Sequence, residues 1–214
     1  MAKKKLKRWA ELLTFPHVFQ FEEDMPGTWG KNVFKNDNPI VLELACGKGE
    51  YTVNLAQAFP DRNFVGVDIK GHRMWVGAKQ ALDENLPNAA FLRTEIEKID
   101  RYFAPEEVAE IWITFPDPQP QESRAKKRLT SPRFLNLYKN ILQKGGCIHL
   151  KTDSTLMYEF TLEMITEACL PIIRQTADLY NASFLDEHLS IKTTYEKIFT
   201  EKGELIKYVQ FVLH

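Results

Sequence analysis

Residues 40–49, Ile40-Val41-Leu42-Glu43-Leu44-Ala45-Cys46-Gly47-Lys48-Gly49, decide the fold. The first half is a short apolar run with β-branched residues, which suits a strand buried on both faces. The second half carries two glycines, which let the backbone turn tightly and let a ligand approach it closely. Working outward, short apolar strands and amphipathic helices alternate. Residues 40–45, 64–68, 90–93, 108–115 and 147–152 read as strands. Residues 51–59, 72–85, 132–143 and 155–167 read as helices, with a brief one at 99–103. The helix over 132–143 is expected to stop at Gly145-Gly146. The tail offers strands at 172–180 and 207–213 around a helix at 195–202. Repeated βα alternation predicts an α/β, Rossmann-like, mostly parallel sheet with helices on both faces. Such sheets bind ligands at the carboxyl ends of their strands.

Composition narrows the class. The chain has 214 residues, 44% of them hydrophobic and 27% charged, ordinary for one sizeable globular core. No uncharged apolar run reaches about 18 residues, so no membrane span is expected. The basic start lacks a secretory apolar core, and a cytoplasmic setting is expected. Cys46, Cys147 and Cys169 are far apart, form no C-x-x-C pair and, like the five histidines, show no metal-ligand spacing. The net charge of −1 excludes a generally basic nucleic-acid coat but leaves room for local patches. Two exist: Lys3, Lys4, Lys5, Lys7 and Arg8, for which contact with RNA is one reading and a disordered solubilising tail the favoured one, and Arg124, Lys126, Lys127, Arg128 and Arg133.

The first strand carries an odd residue. Glu43 is costly within an apolar strand unless something satisfies it. The second strand ends in Asp68, about 20 residues beyond the glycine loop, where an acid can accept ribose hydroxyls. A dinucleotide fingerprint would place a third glycine where Thr52 stands. An acid ahead of the loop repels pyrophosphate but suits S-adenosylmethionine, which is cationic and carries no phosphate. Each feature alone has a plainer reading, a tight turn, a buried ion pair or a helix cap. Their coincidence at this spacing favours a methyl-donor pocket and a methyltransferase domain over 39–214, with residues 1–38 as an N-terminal extension packed onto it.

A second stretch, Phe115-Pro116-Asp117-Pro118-Gln119-Pro120, closes the strand 108–115. Three prolines fix the backbone around Asp117, because each restricts its own φ and the residue before it. Arg124, Lys126, Lys127 and Arg128 follow at once. A stiffly held carboxylate beside such cations suits a polar group next to a phosphate backbone. Charge runs are usually solvated faces, but this one follows directly on Asp117.

These stretches, with Gly66-Val67-Asp68, Lys126-Lys127-Arg128-Leu129, Thr152-Asp153 and Thr193-Thr194-Tyr195-Glu196, resemble the bacterial tRNA (guanine-N7)-methyltransferases from roughly Leu12 to the C-terminus. The resemblance implies a Rossmann-like S-adenosylmethionine-dependent fold and transfer of methyl to N7 of a guanine in the tRNA variable loop, position 46. It implies that Glu43, Gly47, Gly49, Asp68, Glu95 and Asp117 form the cofactor site, with Asp117 central to catalysis. It implies substrate contacts at Gln121, Lys126, Lys127, Arg128, Asp153 and the segment Thr193, Thr194, Tyr195 and Glu196. The sequence departs from the family at Glu95, where the family has aspartate. It departs also at Gln119, in place of a tryptophan, and at Gln121, Glu122 and Ser123, in place of three cations. The expected partner is tRNA, with no membrane and no metal, and the chain as monomer or homodimer. The alternatives are a methyltransferase acting on a small molecule or exocyclic amine, disfavoured because Asn/Asp-Pro-Pro-aromatic is missing, and an RNA-binding protein that kept the fold with weak or no catalysis. His149, mid-strand, reads as a satisfied core residue.

Overall fold

The computed structural model describes residues 2–21 and 24–213, apart from the side chains of residues 2–4. An eight-stranded sheet organises the chain, in the order β1-β4-β3-β2-β5-β6-β8-β7. Strands β1 (Val18–Gln20), β4 (Ala89–Arg93), β3 (Asn63–Val67), β2 (Ile40–Leu44), β5 (Val108–Thr114) and β6 (Leu142–Thr152) run parallel. Strand β8 (Lys207–Val212) enters antiparallel between β6 and β7 (Ile172–Thr176). Within the central strands successive residues feed opposite cores. Leu42, Leu44, Val65, Ile111 and Ile113 pack on one face, whereas Val41, Phe64 and Trp112 pack on the other. Burial on both faces explains why these strands read as unbroken apolar runs.

Helices α1 (Ala2–Leu12), α2 (Glu50–Ala58) and α3 (Gly71–Asp83) cover the Val41 face through Leu12, Leu55, Met74 and Ala78. Helices α4 (Pro132–Lys139) and α5 (Thr155–Glu167) cover the other through Leu135, Met157 and Ile165. Residues 1–38 contribute more than loose chain. β1 adds the edge strand against β4, and Trp29 is buried, donating through Nε1 to Tyr102 O at 2.7 Å while its ring stacks on Phe103. The expected tail of lysines is instead the start of α1, an amphipathic helix that docks on α3.

One expected boundary fails. The helix beginning at Pro132 ends at Lys139, and β6 already starts at Leu142. Gly145-Gly146 lies inside that strand as a bulge, where Val108 pairs with Leu142 but Glu110 pairs with Cys147. A Cβ at Gly146 would stand 2.9 Å from Ala109 O, so glycine here permits close approach of two strands rather than ending a helix. The strand expected to reach Tyr180 stops at Thr176, and a 3-10 turn, Leu179–Asn181, follows.

Candidate active site

The carboxyl ends of β2, β3, β5 and β6 open into one cleft of about 620 Å³, within the range of small-molecule sites. Glu43 faces into the α2 side of the sheet. Its Oε2 accepts from Thr52 N at 2.9 Å and from Thr52 Oγ1, and its Oε1 accepts from Thr114 Oγ1 at 2.6 Å. Burial pushes its carboxyl up to about 7, against the pull of those three donors; Asp68 adds to the rise. Asp68 in turn accepts Gly47 N at 2.9 Å and Lys70 N at 2.7 Å, which fixes the glycine loop to the tip of β3. Gly47 and Gly49 have φ of +57° and +71°. A Cβ at Gly49 would lie 2.5 Å from Phe91 Cε1, so the loop lies against β4 only because no side chain is there. Cys46 also lines the cleft, but burial, with Glu43 and Asp68 adding to it, pushes its thiol well above the usual range and keeps it inert as a nucleophile.

The proline segment forms the opposite lip. Ala45, at the tip of β2, and Phe115 and Gln119, beyond β5, hold φ of +58°, +48° and +45°. Non-glycine residues held there each cost on the order of 1–3 kcal/mol, and such strain clusters at functional positions. Asp117 is exposed, and among the described residues its carboxylate accepts only Gln119 N, on Oδ1 at 3.0 Å. Arg128 holds this lip from beneath. It is 3% exposed, donates to Pro118 O and Gln119 O at 3.2 Å each, and lies 4.6 Å over the Phe160 ring. It is therefore a brace for the segment around Asp117, not a free cation. Gln121, Lys126 and Lys127 are exposed on a 3-10 turn, Glu122–Lys127, and its lead-in, outside the cleft lining.

The third wall comes from the C-terminus. Ser154, not Asp153, caps α5, accepting Met157 N at 3.2 Å, which leaves Asp153 on the cleft. Thr193 and Glu196 form a capping box at the start of α6 (Thr194–Glu201). Glu196 is fully buried, and Lys151 Nζ lies 2.9 Å from its Oε1. Lys151 also donates to Leu189 O and Ile191 O at 2.8 and 2.9 Å, while Tyr180 OH donates to Glu196. This buried pair pins the segment so that Thr193 and Tyr195 line the cleft. Thr194 does not line it, but donates from N and Oγ1 to Glu50 at 2.7 and 2.6 Å.

Of the residues singled out in the sequence, the fold brings Glu43, Gly47, Asp68, Asp117, Asp153, Thr193 and Tyr195 together in the lining, with Gly49 shaping the loop behind. Glu95, two residues beyond β4, is not among the lining residues. It is exposed and paired with Lys98. Sequence reading missed Lys48, Glu50, Lys70, Arg73 and Phe199, all of which border the cleft. His149 is a core residue as expected: Nδ1 lies 2.7 Å from Tyr208 OH, Nε2 3.0 Å from Glu110, and its ring stacks on Trp112. Among the described residues no group of His, Cys, Asp and Glu is placed to hold a metal ion, and no helix is long and apolar enough to cross a membrane.

Known proteins resemble this chain in sequence and in fold. Residues 37–209 match the model of the family described as "Putative methyltransferase". The tRNA (guanine-N(7)-)-methyltransferase of Bacteroides fragilis is 51% identical over 100% of this chain and 87% of its own length. That of Porphyromonas gingivalis is 52% identical over 94% and 86%. Among solved structures, the 16S rRNA methyltransferase KamB aligns at a TM-score of 0.65 and 15% identity, covering 92% of this chain and 98% of that one, a likeness of fold alone. On sequence, the chain belongs to the tRNA (guanine-N7)-methyltransferase family.

Proposed function

We propose that this protein transfers a methyl group from S-adenosylmethionine to N7 of a guanine in the tRNA variable loop, position 46, giving 7-methylguanosine in the cytoplasm. The observation that carries the reading is the convergence of Glu43, Asp68, Asp117, Asp153 and Tyr195 on one cleft at the strand tips. The residues fit the cofactor: a glycine loop packed directly against Phe91, and two acids, Glu43 and Asp68, that favour a cationic ligand over a pyrophosphate. When bound, S-adenosylmethionine supplies a methyl group on a positively charged sulfur. Glu43, its carboxyl near neutrality in pKa, is drawn to its charged form by a cation in the cleft.

The attacked nitrogen already carries a lone pair, so no side chain has to remove a proton from it. The chain's tasks are alignment and charge. Asp117 is the catalytic residue of this reading: its free acceptor capacity can take hydrogen bonds from the guanine edge and stabilise the positive charge that grows on the ring. Phe115, Phe199 and Tyr195 offer apolar faces beside it. Asp153 and Thr193 contact the base region, and Gln121, Lys126 and Lys127 take backbone phosphates. Arg128, Thr194 and Glu196 act one layer back, by holding the groups that touch substrate. The division into an extension, 1–38, and a methyltransferase domain, 39–214, belongs to the same proposal and is supported by the start of the family match at residue 37.

Incubation with labelled S-adenosylmethionine and unmodified tRNA, followed by mapping of modified bases, tests the reading. Label at N7 of a variable-loop guanine is expected. Binding of tRNA without label would favour the RNA-binding alternative.

A further inference from the structure

Lys5 and Arg8, read from sequence as part of a solubilising tail, sit on a helix that is held in place. Gly71 opens α3, and a Cβ there would stand 3.0 Å from Leu12 Cδ2 and 2.9 Å from Arg93 Cδ, so its absence lets the end of α1 seat closely. Arg8 lies 4.5 Å over the Trp75 ring of α3. Arg93, at the end of β4, lies 3.8 Å over Trp9 and 4.8 Å over Phe21. This docking sets α1, which carries Lys5 and Arg8, against the start of α3, where Lys70 is the cap residue and Arg73 lies in the first turn. The His72 imidazole among them has its pKa lowered by burial and then by those cations, Lys5 first. On α1 itself, Glu11 is 3.6 Å from Lys7 and offsets part of that charge.

Lys70 and Arg73 also line the active-site cleft, so the cationic tract is continuous with it. The sheet order makes the arrangement two-sided. β3 and β4 lie on one side of β2 and its glycine loop, whereas β5 and the turn Glu122–Lys127 lie on the other. Gathering like charges on an exposed face of a chain whose net charge is only −1 costs Coulomb energy that a polyanion would offset.

We propose that α1 and the start of α3 form a second phosphate-binding flank, on which tRNA backbone rests through Lys5, Arg8, Lys70 and Arg73, across the cleft from Lys126 and Lys127. The proposal rests on the guanine-N7 reading above. It gives α1 a role in substrate docking and gives the RNA two points of support around the reacting base.

The test uses the full chain. Lys5→Gln/Arg8→Gln is compared with the charge-retaining pair Lys5→Arg/Arg8→Lys and with Lys5→Gln alone, which touches an exposed side chain. Each is followed for tRNA affinity across a salt series, for S-adenosylmethionine binding by calorimetry and for thermal melting. The neutral pair is expected to bind tRNA about tenfold more weakly at low salt and to lower the slope of log K against log salt by about 1.5. The single variant should lose about half that slope, the charge-retaining pair none, and cofactor affinity should not move. An unchanged slope in the folded Lys5→Gln protein, or an equal loss in the charge-retaining pair, overturns the flank. If that happens while wild-type protein still methylates guanine N7, the flank alone falls. If wild-type protein binds no tRNA at any salt, the guanine-N7 reading falls and takes the flank with it.

Discussion

Glu43, near the end of β2, and Asp117, just beyond the neighbouring β5, border the same cleft, yet their surroundings are opposite. Glu43 is 4% exposed, receives three hydrogen bonds and carries a pKa raised to about 7. Asp117 is exposed and receives one, from the backbone two residues on. The buried acid is fixed before any ligand arrives, whereas the exposed one keeps most of its acceptor sites free. The same division runs through the cations. Lys151 and Arg128 are enclosed, each donating to two backbone carbonyls, while Lys126 and Lys127 face solvent. Enclosed charges in this molecule set the shape of the cleft, and exposed ones are left to meet the substrate.

The sharpest way to break that division is Lys151→Ala, which strands Glu196 in the core. Removing one partner of a buried pair typically costs about 3–5 kcal/mol, so urea unfolding should show a loss of that order. A loss below about 1 kcal/mol would place Lys151 among the dispensable charges. Asp117→Ala should leave the fold near normal but lower single-turnover methylation at saturating cofactor by about 100- to 1000-fold, the scale of one lost electrostatic stabiliser. Near-normal turnover would remove Asp117 from the chemistry.

Glu43 gives a pH test. Its folded pKa lies above the ordinary 4.5, so the native state holds a proton that the unfolded chain gives up. Stability should therefore fall as pH rises from about 4.5 through about 7, by up to about 3 kcal/mol from this group. Glu43→Gln should flatten that window in denaturation curves; an unchanged pH profile would mean the carboxyl is not buried as described. Smallest of all, Lys126→Gln/Lys127→Gln should weaken tRNA binding about tenfold at low salt and reduce its salt slope, with melting temperature unchanged. Arg128→Gln should do the reverse, lowering melting temperature and loosening the Asp117 segment before it changes the salt slope.

Much of this was legible from residue order. The strand tip at Glu43, the glycine loop, Asp68 and the helix Thr155–Glu167 follow from local periodicity and turn chemistry, and the structure places them accordingly. Gly145-Gly146 misled because a glycine pair has the same local meaning at a helix end and in a bulge; only the approach of β5 distinguishes them. Arg128 misled for a related reason. Its neighbours in sequence are exposed cations, but the carbonyls that claim it and the Phe160 ring beneath it lie outside the run. The bond from Thr194 to Glu50 joins residues far apart in the chain, and neither residue type announces the other.

That last contact has a thermodynamic consequence. Glu50 opens the helix behind the glycine loop, and Thr194 opens the helix beside the proposed guanine, so one carboxylate spans the donor half and the acceptor half of the cleft. A ligand that orders either half acts, through this bond, on the element that builds the other. Linkage then demands symmetry: by whatever factor a bound cofactor tightens the grip on RNA, bound RNA must tighten the grip on cofactor equally.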